Sequence, residues 1–263
     1  MASNLLGWSL AQFQSFVLIM MRVGPILFMM PFLGSRNLPN LLKVGCMIAV
    51  SLLLLPLVKI DVRYFPADPY YFGVLMMAEL MIGLILGLSV KLIFAGIQLA
   101  GEFAGYQMGF AMANILDPQS GMDTTWVAQF YYLLGALIFF SIDGHHWFIR
   151  ALFQSFSTLS PGEVHLRPGL YHHFINLSAK MFVIAIKMIA PIMAVLIFTE
   201  IALGMIAKLV PQMNVFVTSF PLTICLGLIF LGLSIEWLLP YLKTLLQEST
   251  RGLAGTMLPL IGR

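Results

Sequence analysis

The groups in this chain that could do chemistry are ionisable side chains set inside apolar sequence. Arg22, Glu79, Lys91, Glu102, Lys180, Lys187, Glu200, Lys208 and Glu236 all lie within or beside long hydrophobic runs. One ionised side chain at a bilayer centre costs about 2.5–3.5 kcal/mol on insertion scales. So many charges facing lipid would be untenable, and Arg22, Glu79, Lys91, Glu102, Lys187 and Glu200 are expected to be buried against partners, water or a channel. Lys180 and Lys187 stand one heptad apart on a common face, and Lys91 and Glu102, eleven apart, fall within about 20° of each other on a helix. Two readings stay open: ion pairs that hold helices in register, or a wet path through the interior.

A second cluster is Asp143-Gly144-His145-His146. Asp143 reads as the N-cap of a following amphipathic helix. On that helix His146, Arg150, Gln154 and Ser157 make a polar stripe, and Ile149, Leu152, Phe153 and Phe156 an apolar one. A metal site would want further ligands at defined spacing, and the remaining histidines are His165, His172 and His173. Packing is therefore the default for this stretch, and no metal is expected. The chain carries no G-x-x-x-x-G-K-[ST] phosphate loop, no H-E-x-x-H and no G-x-S-x-G. The expectation is a non-enzyme without catalytic residues or cofactor, drawing any energy for transport from elsewhere.

The elements that position these groups must be membrane helices. Of 263 residues, 60% are hydrophobic and only 10% charged, against about a quarter charged in a soluble domain. Apolar runs such as Phe72–Leu92, Phe182–Phe198 and Val215–Leu239 reach or approach the roughly 20 residues a span needs. The formal net charge of +3 is spread singly, without the basic cluster that would neutralise phosphates, so no nucleic-acid partner is expected. Cys46 and Cys225 sit in apolar runs and read as buried small hydrophobes. Met1–Gly7 lacks a positive leader region, so no removed signal peptide is expected.

Helices are predicted over about Leu10–Met30, with Arg22 and Pro25 inside, and Pro39–Leu55. Lys59–Tyr71 reads as a loop. From Phe72 to about Ala113 no proline or turn cluster intervenes. About 40 helical residues at 1.5 Å each make some 60 Å, twice the hydrocarbon thickness. This stretch must break at its glycines or extend well beyond a bilayer. Tyr171–Leu209 repeats the problem, with Pro191 as an expected kink. Positive charge in successive loops (Arg36 and Lys43, then Lys59 and Arg63) gives no orientation bias, so a plain six-span topology does not follow.

Gly83 and Gly87 form one GxxxG spacing, and Gly101, Gly105 and Gly109 form two more in series. Small residues four apart allow close backbone approach in an apolar setting. They are expected to pack helices tightly, either within the chain or between subunits. Tyr106-Gln107-Met108-Gly109-Phe110-Ala111-Met112-Ala113-Asn114 then leads into Asp117-Pro118. Its glycines allow bends, and Met108, Phe110 and Met112 are bulky but deformable. Such a stretch could obstruct a pore, although core packing is the simpler reading of it alone.

Several motifs in order resemble the FliR family, flagellar members of the type III secretion export-gate proteins. They are Arg22-x-x-Pro25, Pro31-Phe32-Leu33-Gly34-Ser35-Arg36-Asn37-Leu38-Pro39, and Glu79-x-x-x-Gly83-x-x-x-Gly87. The Gly101–Gly109 stripe through Asp117-Pro118, Asp143-Gly144-His145-His146 with Ser155-Phe156, and Pro211-Gln212-Met213-Asn214-Val215-Phe216 complete the set. The likeness covers nearly the whole chain. It implies an all-α membrane-associated fold of long kinked helical hairpins in a spiral assembly. In that picture residues 1–170 form a FliP-like part with a channel-facing loop, and residues 171–263 a FliQ-like hairpin and tail.

The resemblance further implies a structural gate subunit of the flagellar export apparatus in the bacterial inner membrane at the basal body, projecting to the periplasmic side. Implied partners are FliP-like and FliQ-like subunits, FlhB-like and FlhA-like export proteins, membrane lipid and unfolded flagellar substrates. Tyr106, Gln107, Met108, Gly109, Phe110, Ala111, Met112, Asn114 and Asp117 would close the channel, while Gly83, Gly87, Gly101, Gly105, Pro211, Gln212 and Asn214 would serve packing and assembly. A small secondary transporter with a polar path through Lys91, Glu102 and Glu200 is the alternative.

Overall fold

A computed structural model describes residues 9–31, 33–35, 38–58, 69–110, 124–159, 168–210, 212 and 215–252. Those residues form seven α-helices: α1 (Leu10–Met29), α2 (Asn40–Leu54), α3 (Pro69–Met108), α4 (Trp126–Ser141), α5 (Gly144–Thr158), α6 (Pro168–Leu209) and α7 (Val215–Gly252). Four are long and apolar enough to cross a membrane, or five spans if the bent pair α4 and α5 counts as one.

Local chemistry explains where the helices begin and end. Ser9 opens α1 with a capping box: its Oγ accepts from Gln12 N–H at 3.3 Å, and Gln12 Oε1 accepts from Ser9 N–H at 2.9 Å. Thr125 caps α4 by accepting from Ala128 N–H at 3.2 Å. α3 and α6 begin on Pro69 and Pro168, at the first helical position where the missing N–H costs nothing. Pro69, Tyr70 and Tyr71 are thus helical rather than the end of a loop; residues 59–68 lie outside the described set.

α3 is one uninterrupted helix of 40 residues, and α6 is assigned as one helix of 42 residues with Pro191 inside it. The first alternative for α3, a break at its glycines into a hairpin, is therefore set aside. α7 carries Pro221 and Pro240 and continues to Gly252. The start of the C-terminal tail is thereby helical, and residues 253–263 lie outside the described set.

The chain divides into two compact units. The first holds residues 1–92, 143–176 and 247–263, so it contains α1, α2, the N-terminal part of α3, and α5. Its core includes Leu18, Ile19, Val23, Ile82 and Leu152. The second holds residues 93–142 and 177–246, with the C-terminal part of α3, α4, and most of α6 and α7. Its core includes Ile97, Ala100, Ala104, Met108, Tyr131, Met188, Ile192 and Leu242. Phe94 meets Phe139 edge-on there at 5.6 Å between centroids, a favoured aromatic geometry.

The most apolar stretch of α3 is 61% buried, but those of α6 and α7 are only 33% and 28% buried. Phe182, Phe198, Ile201, Leu228 and Leu233 stay exposed along them. Apolar area on that scale must meet lipid or protein outside this chain. Both cysteines are exposed as well, correcting the expectation that they are buried: an apolar neighbourhood in sequence does not select the inward face of a helix.

Candidate functional site

Two polar constructions stand out, one in each unit. In the first unit, Arg22 on α1 is fully buried with Glu79 on α3. Arg22 Nε donates to Glu79 Oε2 at 2.5 Å and Nη2 to Glu79 Oε1 at 3.0 Å, a bidentate fork. Nη1 donates to the Ser155 carbonyl at 2.9 Å and to Ser155 Oγ at 3.3 Å, while Nη2 also reaches the Leu159 carbonyl at 3.3 Å. The Phe156 ring lies 4.2 Å from the guanidinium carbon. All five guanidinium donors are thereby used. The cation also closes the C-terminal turn of α5, where unpaired carbonyls and the helix dipole favour positive charge.

The glycines of α3 make this approach possible. A methyl group at Gly83 would collide with the Arg22 carbonyl, and one at Gly87 would lie 3.1 Å from the Pro25 carbonyl. Pro25 itself offers no N–H to its own helix, and its ring faces Gly83. The Arg22-x-x-Pro25 and Glu79-x-x-x-Gly83-x-x-x-Gly87 motifs are therefore two sides of one helix crossing.

In the second unit the Gly101–Gly109 stripe is used in the same way. A Cβ at Gly101 would strike the backbone of Ala128, and one at Gly105 would come 2.5 Å from Thr125 Oγ1. Gln107 Nε2 donates to Glu200 Oε1 at 3.0 Å, joining α3 to α6 at an exposed position. α3 then stops in a defined way. Gly109 takes φ +91°, Phe110 N–H donates to the Gly105 carbonyl at 2.9 Å, and Gly109 N–H donates to the Tyr106 carbonyl at 3.0 Å. This is the paired hydrogen bonding of a Schellman ending, with glycine where a left-handed backbone is required. Met108 is fully buried and Tyr106 exposed. Ala111, Met112, Asn114 and Asp117 lie outside the described residues, as do Pro211 and Asn214; Gln212 is exposed.

The charge expectations divide. Arg22 and Glu79 are buried within the chain, and Glu102 is half-buried. Lys91, Lys187 and Glu200 are exposed on this chain taken by itself. They project from faces of α3 and α6 that this chain does not itself cover. Lys187 lines an apolar cavity of about 400 Å³ between α6 and α7, with Phe230, Ser234 and Trp237.

Asp143 occupies the N-cap position of α5 but makes no side-chain cap hydrogen bond. Its left-handed backbone, φ 55°, leaves its carboxylate beside His146 Nδ1 at 3.4 Å rather than on the helix N–H groups. Asp143, His145 and His146 offer donor atoms all within 4.8 Å of one another, close enough for a divalent ion. The positive end of α5 works against a cation there, and an acid beside a histidine accounts for the grouping. Along α5 the buried stripe is Phe148, Leu152, Ser155 and Phe156; Ile149 and Phe153 are exposed, correcting the apolar face assigned from sequence.

The family description "Bacterial export proteins, family 1" matches residues 13–249. The flagellar biosynthetic protein FliR of Bacillus subtilis (strain 168) is 33% identical over 228 residues, covering 83% of this chain and 85% of that protein. The flagellar biosynthetic protein FliR of Pectobacterium carotovorum subsp. carotovorum is 32% identical over 248 residues, covering 93% and 92%. Its counterpart in Escherichia coli (strain K12) is 27% identical over 244 residues, covering 92% and 93%. The chain belongs to the FliR family.

In this FliR-family chain the sequence reading named Arg22 and Glu79 but not their companions Ser155, Phe156 and Leu159 as members of one cluster. Ser155 and Phe156 stood in the sequence as one of the ordered motifs, but nothing there joined them to Arg22. Nor did it find Phe220, Thr223 and Gly227, which contact the end of α3 and belong to an apolar run without distinguishing chemistry. Spacing i, i+3 and i+7 puts these three on one face of α7, but nothing in the sequence says what that face meets.

Proposed function

We propose that this chain is a structural channel subunit of the flagellar type III export apparatus, set in the bacterial inner membrane, that helps form and close the conduit for unfolded flagellar proteins. Family membership across residues 13–249 carries this reading, and the under-buried faces of α6 and α7 are compatible with it, since they must meet lipid or helices outside this chain. FliP-like and FliQ-like subunits are the partners we assign to those faces, with FlhB-like and FlhA-like proteins beyond them. Residues 1–170 would act as the FliP-like part and 171–263 as the FliQ-like hairpin, with much of the assembly on the periplasmic side. Tyr106–Asp117 is the segment we assign to closure: it begins at the stop of α3, where a rigid helix hands over to chain with bulky, deformable side chains.

Co-expression with FliP-like and FliQ-like proteins from the same cell tests the reading: one stable particle containing all three is expected. Failure to enter any such complex would overturn it. Deletion of Gly109–Asn114 in an assembled particle should make it leaky to small solutes, and unchanged permeability would remove the closure assignment. Solute-coupled uptake by the isolated chain in liposomes would favour the transporter instead.

A further inference from the structure

α6 and α7 enclose a crevice of about 400 Å³ within the second unit. Pro191, Phe230, Leu233 and Trp237 give it apolar walls, and Lys187 is the one charged residue that lines it. Ser234, its other polar neighbour, donates its hydroxyl proton to the Leu231 carbonyl at 2.8 Å. Lys187 is exposed and has no hydrogen bond or ion pair among the described residues. Leu233 is 68% and Trp237 48% exposed, so the crevice opens away from the chain.

Two features set its mouth at the level of a membrane surface. Residues 215–235 of α7 include no charged residue, and Glu236 follows at once. That run rises roughly 31 Å, one hydrocarbon thickness. Trp237 and Tyr241 stack just beyond it, their ring centroids 5.3 Å apart and their planes 9° from parallel. Amphipathic aromatics of this kind gather at headgroup depth. Lys187 stands as far from the C-terminal end of α6 as Trp237 does from the start of α7, so the cation shares that level.

We propose that this crevice holds one anionic phospholipid, its phosphate on the Lys187 ammonium and one acyl chain along Pro191, Phe230 and Leu233. Volume and charge both select that occupant. A helix about 10–12 Å across would fill such a space in about one turn, so the crevice takes a single flexible chain rather than a packed helix. An ammonium facing lipid without a counter-ion is costly, and a headgroup phosphate supplies one at the depth of Trp237 and Tyr241. Basic pockets between membrane helices bind anionic headgroups in this manner. The assignment needs these helices to meet a bilayer and does not rest on the export reading.

Native mass spectrometry of the full chain in lipid-free detergent, titrated with phosphatidylglycerol or phosphatidylcholine, tests the site. Wild type should bind phosphatidylglycerol about fivefold more tightly, the preference that one cation near a bilayer surface confers. Lys187→Gln should bind both lipids alike, and Lys187→Arg should keep the preference. Ala190 also lines the crevice, and Ala190→Phe, which fills it, should weaken both lipids. Lys91→Gln, at an exposed lysine on α3, should behave as wild type. Glycerol phosphate, which has the anion without the chain, should not displace bound phosphatidylglycerol.

Equal binding of the two lipids by wild type would overturn the proposal. So would a preference that survives Lys187→Gln, or one that Lys91→Gln abolishes equally. Unchanged binding by a folded Ala190→Phe chain, or displacement by glycerol phosphate, would remove the acyl seat and overturn it as well. Carbodiimide coupling of Lys187 to a neighbouring subunit's carboxylate, in the particle assembled with FliP-like and FliQ-like proteins, would give the site to a helix instead of a lipid. Should Ala190→Phe fail to fold, the Lys187 variants decide the question.

Discussion

Removing either partner of the Arg22–Glu79 pair should cost far more than removing both. Arg22→Leu leaves the Glu79 carboxylate in a site where both side chains are fully buried. Breaking a buried pair from one side typically costs about 3–5 kcal/mol. Glu79→Leu leaves a guanidinium that cannot be neutralised but keeps the Ser155 carbonyl, Ser155 Oγ, the Leu159 carbonyl and the Phe156 ring. Its cost should lie near the lower end, about 3 kcal/mol.

The double variant removes both charges, and little is left uncompensated. The Ser155 carbonyl still accepts from Leu159 N–H at 2.9 Å, and Ser155 Oγ still donates to the Leu152 carbonyl at 2.7 Å. The Leu159 carbonyl loses its Arg22 donor, worth about 1–3 kcal/mol. The single losses thus sum to roughly 6–8 kcal/mol and the double to roughly 1–3, a coupling well above the 0.3–0.5 kcal/mol scatter of independent sites. Equilibrium unfolding of the detergent-solubilised chain, read by helix content across an SDS titration, measures the four corners of the cycle. Additivity within about 0.5 kcal/mol would refute the reasoning. Arg22→Lys should fall short of wild type too, since an ammonium cannot reproduce the fork to Glu79 and the two reaches to α5.

Three further expectations follow from particular contacts. Gly83→Val places a branched side chain against the Arg22 carbonyl and Pro25; a loss of about 1–3 kcal/mol is expected from overpacking, and an unchanged unfolding midpoint would contradict the crossing. Thr125→Ala removes the α4 cap and should cost about 1 kcal/mol, while Thr125→Ser, which keeps the acceptor for Ala128 N–H, should recover most of it in the same titration. Gln107→Leu and Glu200→Leu should show a coupling no larger than about 1 kcal/mol in the isolated chain, because the contact is exposed; a larger value would mean that the site is drier than the structure has it.

Much of the framework was legible from residue types and order. Composition fixed the class, because too few charged side chains remain to cover a soluble surface. The absence of proline and turn clusters from Phe72 to about Ala113 left a hairpin broken at glycines or one over-long helix, and α3 is a single helix over Pro69–Met108. Ordered motifs pointed to the family that the comparisons establish. A boundary slipped where Lys59–Tyr71 was read as a loop, since Pro69 starts α3.

Which of these groups meet was decided by the tertiary structure alone. Sequence placed nine ionisable groups in apolar runs, and folding buries Arg22 and Glu79 while leaving Lys91, Lys187 and Glu200 exposed. A charge in an apolar run carries no mark of the helix face opposite it, and the partner of Arg22 is 57 residues away in sequence. The glycine stripes show the same division. Spacing declared that backbones approach closely, but only the fold assigns Gly83 to Arg22, Gly101 to Ala128 and Gly109 to Phe220. Helical periodicity is a local property and fixes which side chains share a face. The identity of the facing element depends on how the chain returns through space, and that is settled by packing summed over the whole of each unit.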